Sequence, residues 1–279
     1  MSLQMPSQTQ PKLTDRDALA VRRARAAADG SAWFLHESAI DEIQERLKDV
    51  NRRFTSAAIV TAHPDVWVDA IPGATLVAEG EVLDLRPGAH DLVVHAMCLH
   101  WADDPVGQLI QCRRALREDG LLMVAMLGGE TLHELRAALG QAESEVMGGL
   151  SPRVAPMGEI RDIGALLQRA GLALPVADLT TLTVRYRDLS HLVRDLRAMG
   201  ETNALAARHR RTPPRALFER ANLHYADAFA DQDGIAATFQ TIFLTGWAPS
   251  ETQQKPLRPG SAQARLADAL GVPELGPDE

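Results

Sequence analysis

Short apolar runs alternate with helical segments along most of this chain, and that alternation constrains its fold more than any other feature. Ala57–Thr61, Ala74–Ala78, Asp91–His95 and Leu121–Met126 are four such runs, each bounded by turn or helix signals. Helical stretches lie around them at about 15–30, 36–51, 105–116, 131–146 and 158–170. In the second, Ile40, Ile43, Leu47 and Val50 share one face. Further on, 173–178, 182–186 and 236–247 read as strands, and 189–199 and 214–229 as helices. Phe239, Thr241, Phe243 and Thr245 point one way along the last strand. Strands that alternate with helices predict an α/β three-layer sandwich, a mostly parallel sheet covered on both faces. Ligands of such sheets bind at the carboxyl ends of the strands.

The 279 residues suffice for one large domain, and 46% of them are hydrophobic. A net charge of −8 argues against a general nucleic-acid binder, which needs a basic face. The local clusters Arg22-Arg23-Ala24-Arg25 and Arg208-His209-Arg210-Arg211 read as solvated helix faces. Cys98 and Cys112 make no disulfide framework, which fits a reduced, cytoplasmic setting. No apolar stretch reaches the roughly 18 residues of a membrane span. The organisation expected is a disordered leader at 1–14, a domain at 15–248 with a helical cap inserted at about 187–232, and a Pro/Gly-rich tail at 249–279.

Five segments carry a resemblance. They are Leu99-His100-Trp101, Gly128-Gly-Glu-Thr-Leu-His-Glu-Leu-Arg136, Gly149-Leu-Ser-Pro152, Met199-Gly-Glu-Thr-Asn-Ala204 and Gly246-Trp247. Together they resemble the class I S-adenosylmethionine methyltransferases, in the branch of the methyltransferase-like assembly factors of respiratory complex I. The malonyl-carrier-protein methyltransferases of biotin synthesis are similar at greater distance. The resemblance implies a Rossmann-like sheet of seven strands with the last one antiparallel, here 239–247, and a helical cap on the substrate side. It implies S-adenosylmethionine as cofactor and transfer of a methyl group to a small molecule or a protein. Protein arginine hydroxylation is the activity implied by the assembly-factor branch, and a catalytically silent assembly role on the same fold is the other alternative. A protein partner is implied by that branch; the oligomeric state stays open.

The chain departs from the pattern where the cofactor should sit. A class I cofactor loop needs glycines after the first strand, so that backbone N–H groups approach the ligand. The matching segment, Thr61-Ala62-His63-Pro64-Asp65, has none, and Pro64 lacks an N–H. Residues 62–90 number 29, whereas two helices, two strands and their loops need roughly 50. One strand–helix unit is therefore expected to be missing, with the acid that grips the ribose. Glu79 resembles the acid beyond the next strand, near the adenine. Weak or lost S-adenosylmethionine binding follows, with Thr61, Ala62, His63, Glu79, His95 and Trp101 as the remaining cofactor-side candidates.

His100 and Glu130 are the catalytic candidates, since both follow strands at the sheet's carboxyl edge. Thr131 and Glu134 have the spacing of a capping box, which leaves Gly128, Gly129 and Glu130 unexplained by local structure. Arg153, Glu201 and Asn203 are the substrate-side candidates, Arg153 as a cation for a carboxylate. No metal is expected. His63-Pro64-Asp65 could supply two ligands of an iron triad, but 9 His and 37 acidic residues give about one such pair by composition. Cys98 lies beside His100 without a readable activating environment.

Overall fold

The computed structural model describes residues 12–29 and 32–253. The leader expected at 1–14 lies mostly outside these residues, as does the tail from 254 onward. Leu13 and Thr14 are described, and they are tied down rather than loose. Both main-chain N–H groups donate to Asp103 Oδ1, at 2.8 and 2.9 Å, and the buried Thr14 hydroxyl donates to Trp101 O. The ordered domain thus begins earlier in the chain than its composition suggests.

The elements run α1 (Arg16–Asp29), α2 (Phe34–Asp49), β1 (Ala57–Thr61), α3 (Pro64–Trp67), β2 (Thr75–Ala78) and β3 (His90–Ala96). A 3₁₀ turn at Leu99–Trp101 leads to α4 (Pro105–Ala115), β4 (Leu116–Leu127), α5 (His133–Met147), α6 (Ile160–Arg169) and β5 (Ala173–Tyr186). Last come α7 (Leu189–Ala198), α8 (Arg215–Phe229), β6 (Ala230–Asp231) and β7 (Gly234–Trp247). The sheet order is β2-β1-β3-β4-β7-β5, with β6 paired to β7. Strands β2, β1, β3 and β4 are parallel, and β7 runs antiparallel to both β4 and β5. This is a class I methyltransferase fold, a mostly parallel sheet with the expected antiparallel last strand; its main order holds six strands, and the seventh is the two-residue β6.

The pleat assigns the faces. Ile59, Leu92, Val94, Met123 and Ala125 face α2, α3, α5, α7 and α8, while Ala58, Val60, Val93, Leu122 and Val124 face α4 and α6. Strands β1 and β3 are buried along their whole length, which is why they read as unbroken apolar runs. The cap helices α7 and α8 join the first of these layers through Leu192, Leu196, Leu217 and Tyr225.

The stretch 173–186 is one strand, not the two the sequence suggests. Pro175 cannot donate to the ladder, and the register shifts there, with Leu174 at φ 49°. Beyond that shift β7, which is equally long, pairs with β5 as far as Tyr186. Partner length overrides the local break expected after Asp178.

The capping box at Thr131 does not form. Helix α5 starts two residues later, behind Leu132 at φ 55°. Thr131 Oγ donates to Gly128 O at 2.7 Å and accepts from Gln240 N at 2.9 Å. Glu134 accepts from the main chain and hydroxyl of Thr238. Both side chains bind β7 instead of each other. The same packing accounts for the two glycines. A Cβ at Gly128 would overlap Ile242, and Gly129 has φ +55° with Gln240 Oε1 where its Cβ would stand.

Candidate functional site

Two cavities open where the parallel strands end. One, of about 550 Å³, lies beyond β1 and β2 and is lined by Arg23, Trp33, Thr61, Ala62, His63 and Glu79 among others. The other, of about 440 Å³, lies beyond β3 and β4 under the cap, and Trp101, Arg153, Glu201 and Asn203 are part of its wall.

At the first cavity, the chain turns sharply after β1. The His63 N–H donates to Thr61 Oγ at 3.1 Å, and the Val66 N–H to His63 O at 3.1 Å. With Pro64 opening α3, neither of these two donors is free to cradle a ligand. The His63 ring is buried, 4.6 Å from Trp33 and 5.0 Å from His36 between ring centres. Burial and the nearby Arg23 push the His63 pKa down to about 4. His36 accepts from Trp67 Nε1 at 3.0 Å, and burial with the His63 neighbour takes its pKa to about 3. Trp33 and the neutral His63 therefore line one flank of this space, with His36 and Trp67 packed behind them.

Glu79 follows β2 directly. Its N–H donates to Thr61 O at 3.2 Å, and its carboxylate binds the guanidinium of Arg23 from α1. Arg16 approaches Glu79 to 3.9 Å. Arg23 is 6% exposed, and its Nη2 stands 3.8 Å from Glu201 Oε1. Burial disfavours its charge, but Glu79 and Glu201 more than offset this and raise its pKa. The sequence reading of 22–25 as a solvated face is thus wrong at Arg23.

Glu201 accepts from Trp101 Nε1 at 2.7 Å and lies 3.1 Å from His100 Nε2. Burial raises its pKa, yet His100, Arg23 and the Trp101 N–H outweigh that and hold it at about 2. Glu79–Arg23–Glu201 is one chain of alternating charge with His100 bonded at its end, and Arg23 with Glu201 stands between the two cavities.

Thr61, Ala62, His63 and Glu79 come together as expected, and so do Trp101, Arg153, Glu201 and Asn203, with Trp101 on the substrate side. The remaining three candidates behave differently. His100 lies behind Glu201, lines neither cavity and can act only through that carboxylate. Glu130 is exposed and its main chain binds Gln240, away from both cavities. His95 is fully buried on the α4 side, bonded to Gln108 at 2.7 Å and 3.6 Å from Cys98 Sγ. Arg153 donates to Glu143 Oε1 at 2.6 Å, and Asn203 donates to Pro152 O at 2.8 Å, so both brace the loop before α6. Burial raises the Cys98 thiol pKa well above its ordinary value, which leaves it unreactive.

The methyltransferase domain family matches residues 24–124. The mitochondrial arginine-hydroxylase NDUFAF5 of Danio rerio is 35% identical over 210 residues, covering 75% of this chain and 65% of that protein. The human NDUFAF5 is 35% identical over 213 residues, 74% of this chain and 60% of that protein. The chain is thus similar to the class I methyltransferase superfamily. Within it, a malonyl-[acyl-carrier protein] O-methyltransferase of Laribacter hongkongensis is 33% identical over 187 residues, 67% of this chain and 61% of that protein. The chain therefore spans about two thirds or less of the length of these relatives. Sheets of this kind bind ligands beyond the carboxyl ends of their strands, and Arg23 and Glu79 meet there.

Proposed function

We propose that the chain binds S-adenosylmethionine weakly in the 550 Å³ cavity and passes its methyl group to a substrate in the 440 Å³ cavity. The observation that carries this reading is the pair of cavities at the strand ends with Arg23 and Glu201 between them. The residues present fit the nucleoside end of the cofactor. Glu79 offers a carboxylate beside Thr61, and Leu76 and Val77 offer an apolar wall. β2 pairs directly with β1 and ends this edge of the sheet. Glu79 thus stands one strand spacing, about 4.8 Å, from β1, where its carboxylate takes the place of the lost ribose acid. The loop fits the amino-acid end less well, with Pro64 and the turned His63 N–H in place of a cradle.

When bound, S-adenosylmethionine supplies an electrophilic methyl group on a sulfonium. Glu79 accepts from ligand hydroxyls once Arg23 releases it. Glu201 stays ionised at the boundary, and its negative charge favours a cationic centre nearby. Trp101 and His100 fix the Glu201 carboxylate in place. Catalysis is then chiefly positioning.

Affinity suffers twice, from the absent cradle donors and from competition by Arg23. Each loss is worth about 1.5–3 kcal/mol, so the two cost on the order of a hundredfold to ten-thousandfold. Calorimetric titration with S-adenosylmethionine and S-adenosylhomocysteine tests the reading. High-micromolar to millimolar binding, further weakened in Glu79→Ala, supports it. Low-micromolar binding indifferent to Glu79→Ala overturns the weakened site, and no binding at millimolar ligand favours a silent assembly protein. The Arg23–Glu79 pair is the feature that favours that second reading, since it already neutralises the cofactor-side acid. Arginine hydroxylation rests on the NDUFAF5 relatives' names.

A further inference from the structure

The 440 Å³ cavity has an apolar interior and a cationic mouth. Its inner wall includes Leu127, Leu132, Leu135, Leu139, Leu196 and Phe239, each of them buried. Four arginines from three segments surround the opening: Arg22 and Arg25 on α1, Arg153 on the loop before α6, and Arg197 in the last turn of α7. Among the described residues, Glu201 is the sole acid in the lining, and Trp101, His100 and Arg23 already engage it.

The four arginines are not equivalent. Arg153 is held by Glu143. Arg22, Arg25 and Arg197 form no ion pair among the described residues. Arg25 and Arg197 are exposed, whereas Arg22 is partly sheltered, and its Nη1 is buried without a hydrogen-bond partner. A buried charged donor left unsatisfied is costly, and ligand sites are where such groups persist. Burial and the nearby Arg208 lower the Arg22 pKa, against a smaller opposing effect of Asp15.

We propose that this cavity selects an amphipathic anion, a molecule whose aliphatic tail fills the leucine-lined interior and whose oxyanion head meets Arg22, Arg25 and Arg197. The inference rests on the reading of this cavity as the substrate site. The tail gains from leaving water at about 25 cal/mol per Å² of apolar surface. The head gains the forked N–H groups of arginine, which match a carboxylate or a phosphate. A guanidinium or ammonium head meets three unpaired like charges there and is repelled.

Octanoate, octyl phosphate, octanol and octylamine, which share one tail, are the probes. Binding is measured by calorimetry on the full chain without S-adenosylmethionine. Octanoate or octyl phosphate should bind at least about tenfold tighter than octanol, and octylamine more weakly than octanol. The stronger of the two anions identifies the head as carboxylate or phosphate. The preference should shrink as salt rises through the range where the Debye length falls below about 8 Å. In the triple variant Arg22→Gln, Arg25→Gln, Arg197→Gln, the anions should drop to the octanol level while octanol is unchanged. Should that variant fail to fold, Arg25→Gln with Arg197→Gln, both exposed, should still remove most of the preference. Octylamine binding as tightly as octanoate, an anion preference that survives the substitutions, or no binding of any octyl probe overturns the proposal. Because no cofactor is present, failure here leaves methyl transfer standing, and failure of S-adenosylmethionine to bind leaves the octanoate result standing.

Discussion

His95→Gln should flatten the acid dependence of stability. His95 is 0% exposed, and burial lowers its pKa from 6.5 to about 4, against a smaller opposing effect of the Gln108 bond. The folded protein therefore holds it neutral across mildly acidic pH, while the unfolded chain protonates it below about 6.5. The unfolded state binds more protons in that window, so stability is full above pH 6.5 and falls as pH drops toward 4. At pH 5 the unfolded state gains about 2 kcal/mol from this one group, from 1.36 kcal/mol per pKa unit. That is a sizeable part of the roughly 5–15 kcal/mol that holds a domain together. Urea denaturation at pH 7.5 and pH 5.0 reads it directly. The wild type should lose about 2 kcal/mol more than His95→Gln over that interval. His36 and His63 share the same direction of shift but are present in both proteins, so their effect cancels in the comparison. Equal losses in the two proteins would refute the reasoning, as would a larger loss in the variant. S-adenosylmethionine titration should be the same in both, because His95 lines neither cavity.

Arg23→Met should lower the melting temperature, since it strips the cation from buried Glu201 at a cost of about 3–5 kcal/mol. It should also tighten S-adenosylmethionine binding by freeing Glu79, and calorimetry showing weaker binding in a folded variant would count against the competition described above. Gly129→Ala forces an alanine to φ +55° against Gln240 and should cost about 1–3 kcal/mol in thermal denaturation, with octanoate binding untouched. Cys98 and Cys112 are both buried with raised pKa values, that of Cys112 to about 12, so neither should react with a thiol reagent until the protein unfolds. Rapid labelling of the native protein would contradict that.

The sheet's centre was legible because β1, β3 and β4 are sandwiched between helical layers and leave continuous apolar runs in the sequence. The missing strand–helix unit could be inferred from chain length alone, since 29 residues cannot span the usual elements. The site was less legible, because its decisive group sits in a helix that looks solvated. Arg23 is flanked by Arg22 and Arg25, and local composition offers no reason to bury one and expose the others. A signal existed nonetheless. Leu19, Arg23 and Ala26 follow helical spacing, all three are buried, and a charge on that stripe marks a buried partner. Glu130 misled for the opposite reason: the glycines before it serve the contact with Ile242 and Gln240, more than 100 positions away in sequence. Glu143, which holds Arg153 and Ser151 and is 2% exposed, gave no sign in a helix of otherwise ordinary polarity.

Arg23 serves two carboxylates on the walls of two separate cavities. A ligand that takes Glu79 from it changes the field at Glu201, and a ligand that draws on Glu201 changes the hold on Glu79. The two sites are then thermodynamically linked through one side chain. Whatever factor the first ligand applies to the affinity of the second, the second must apply to the first. Cooperativity of this kind needs no moving domain, only one cation shared between two acids.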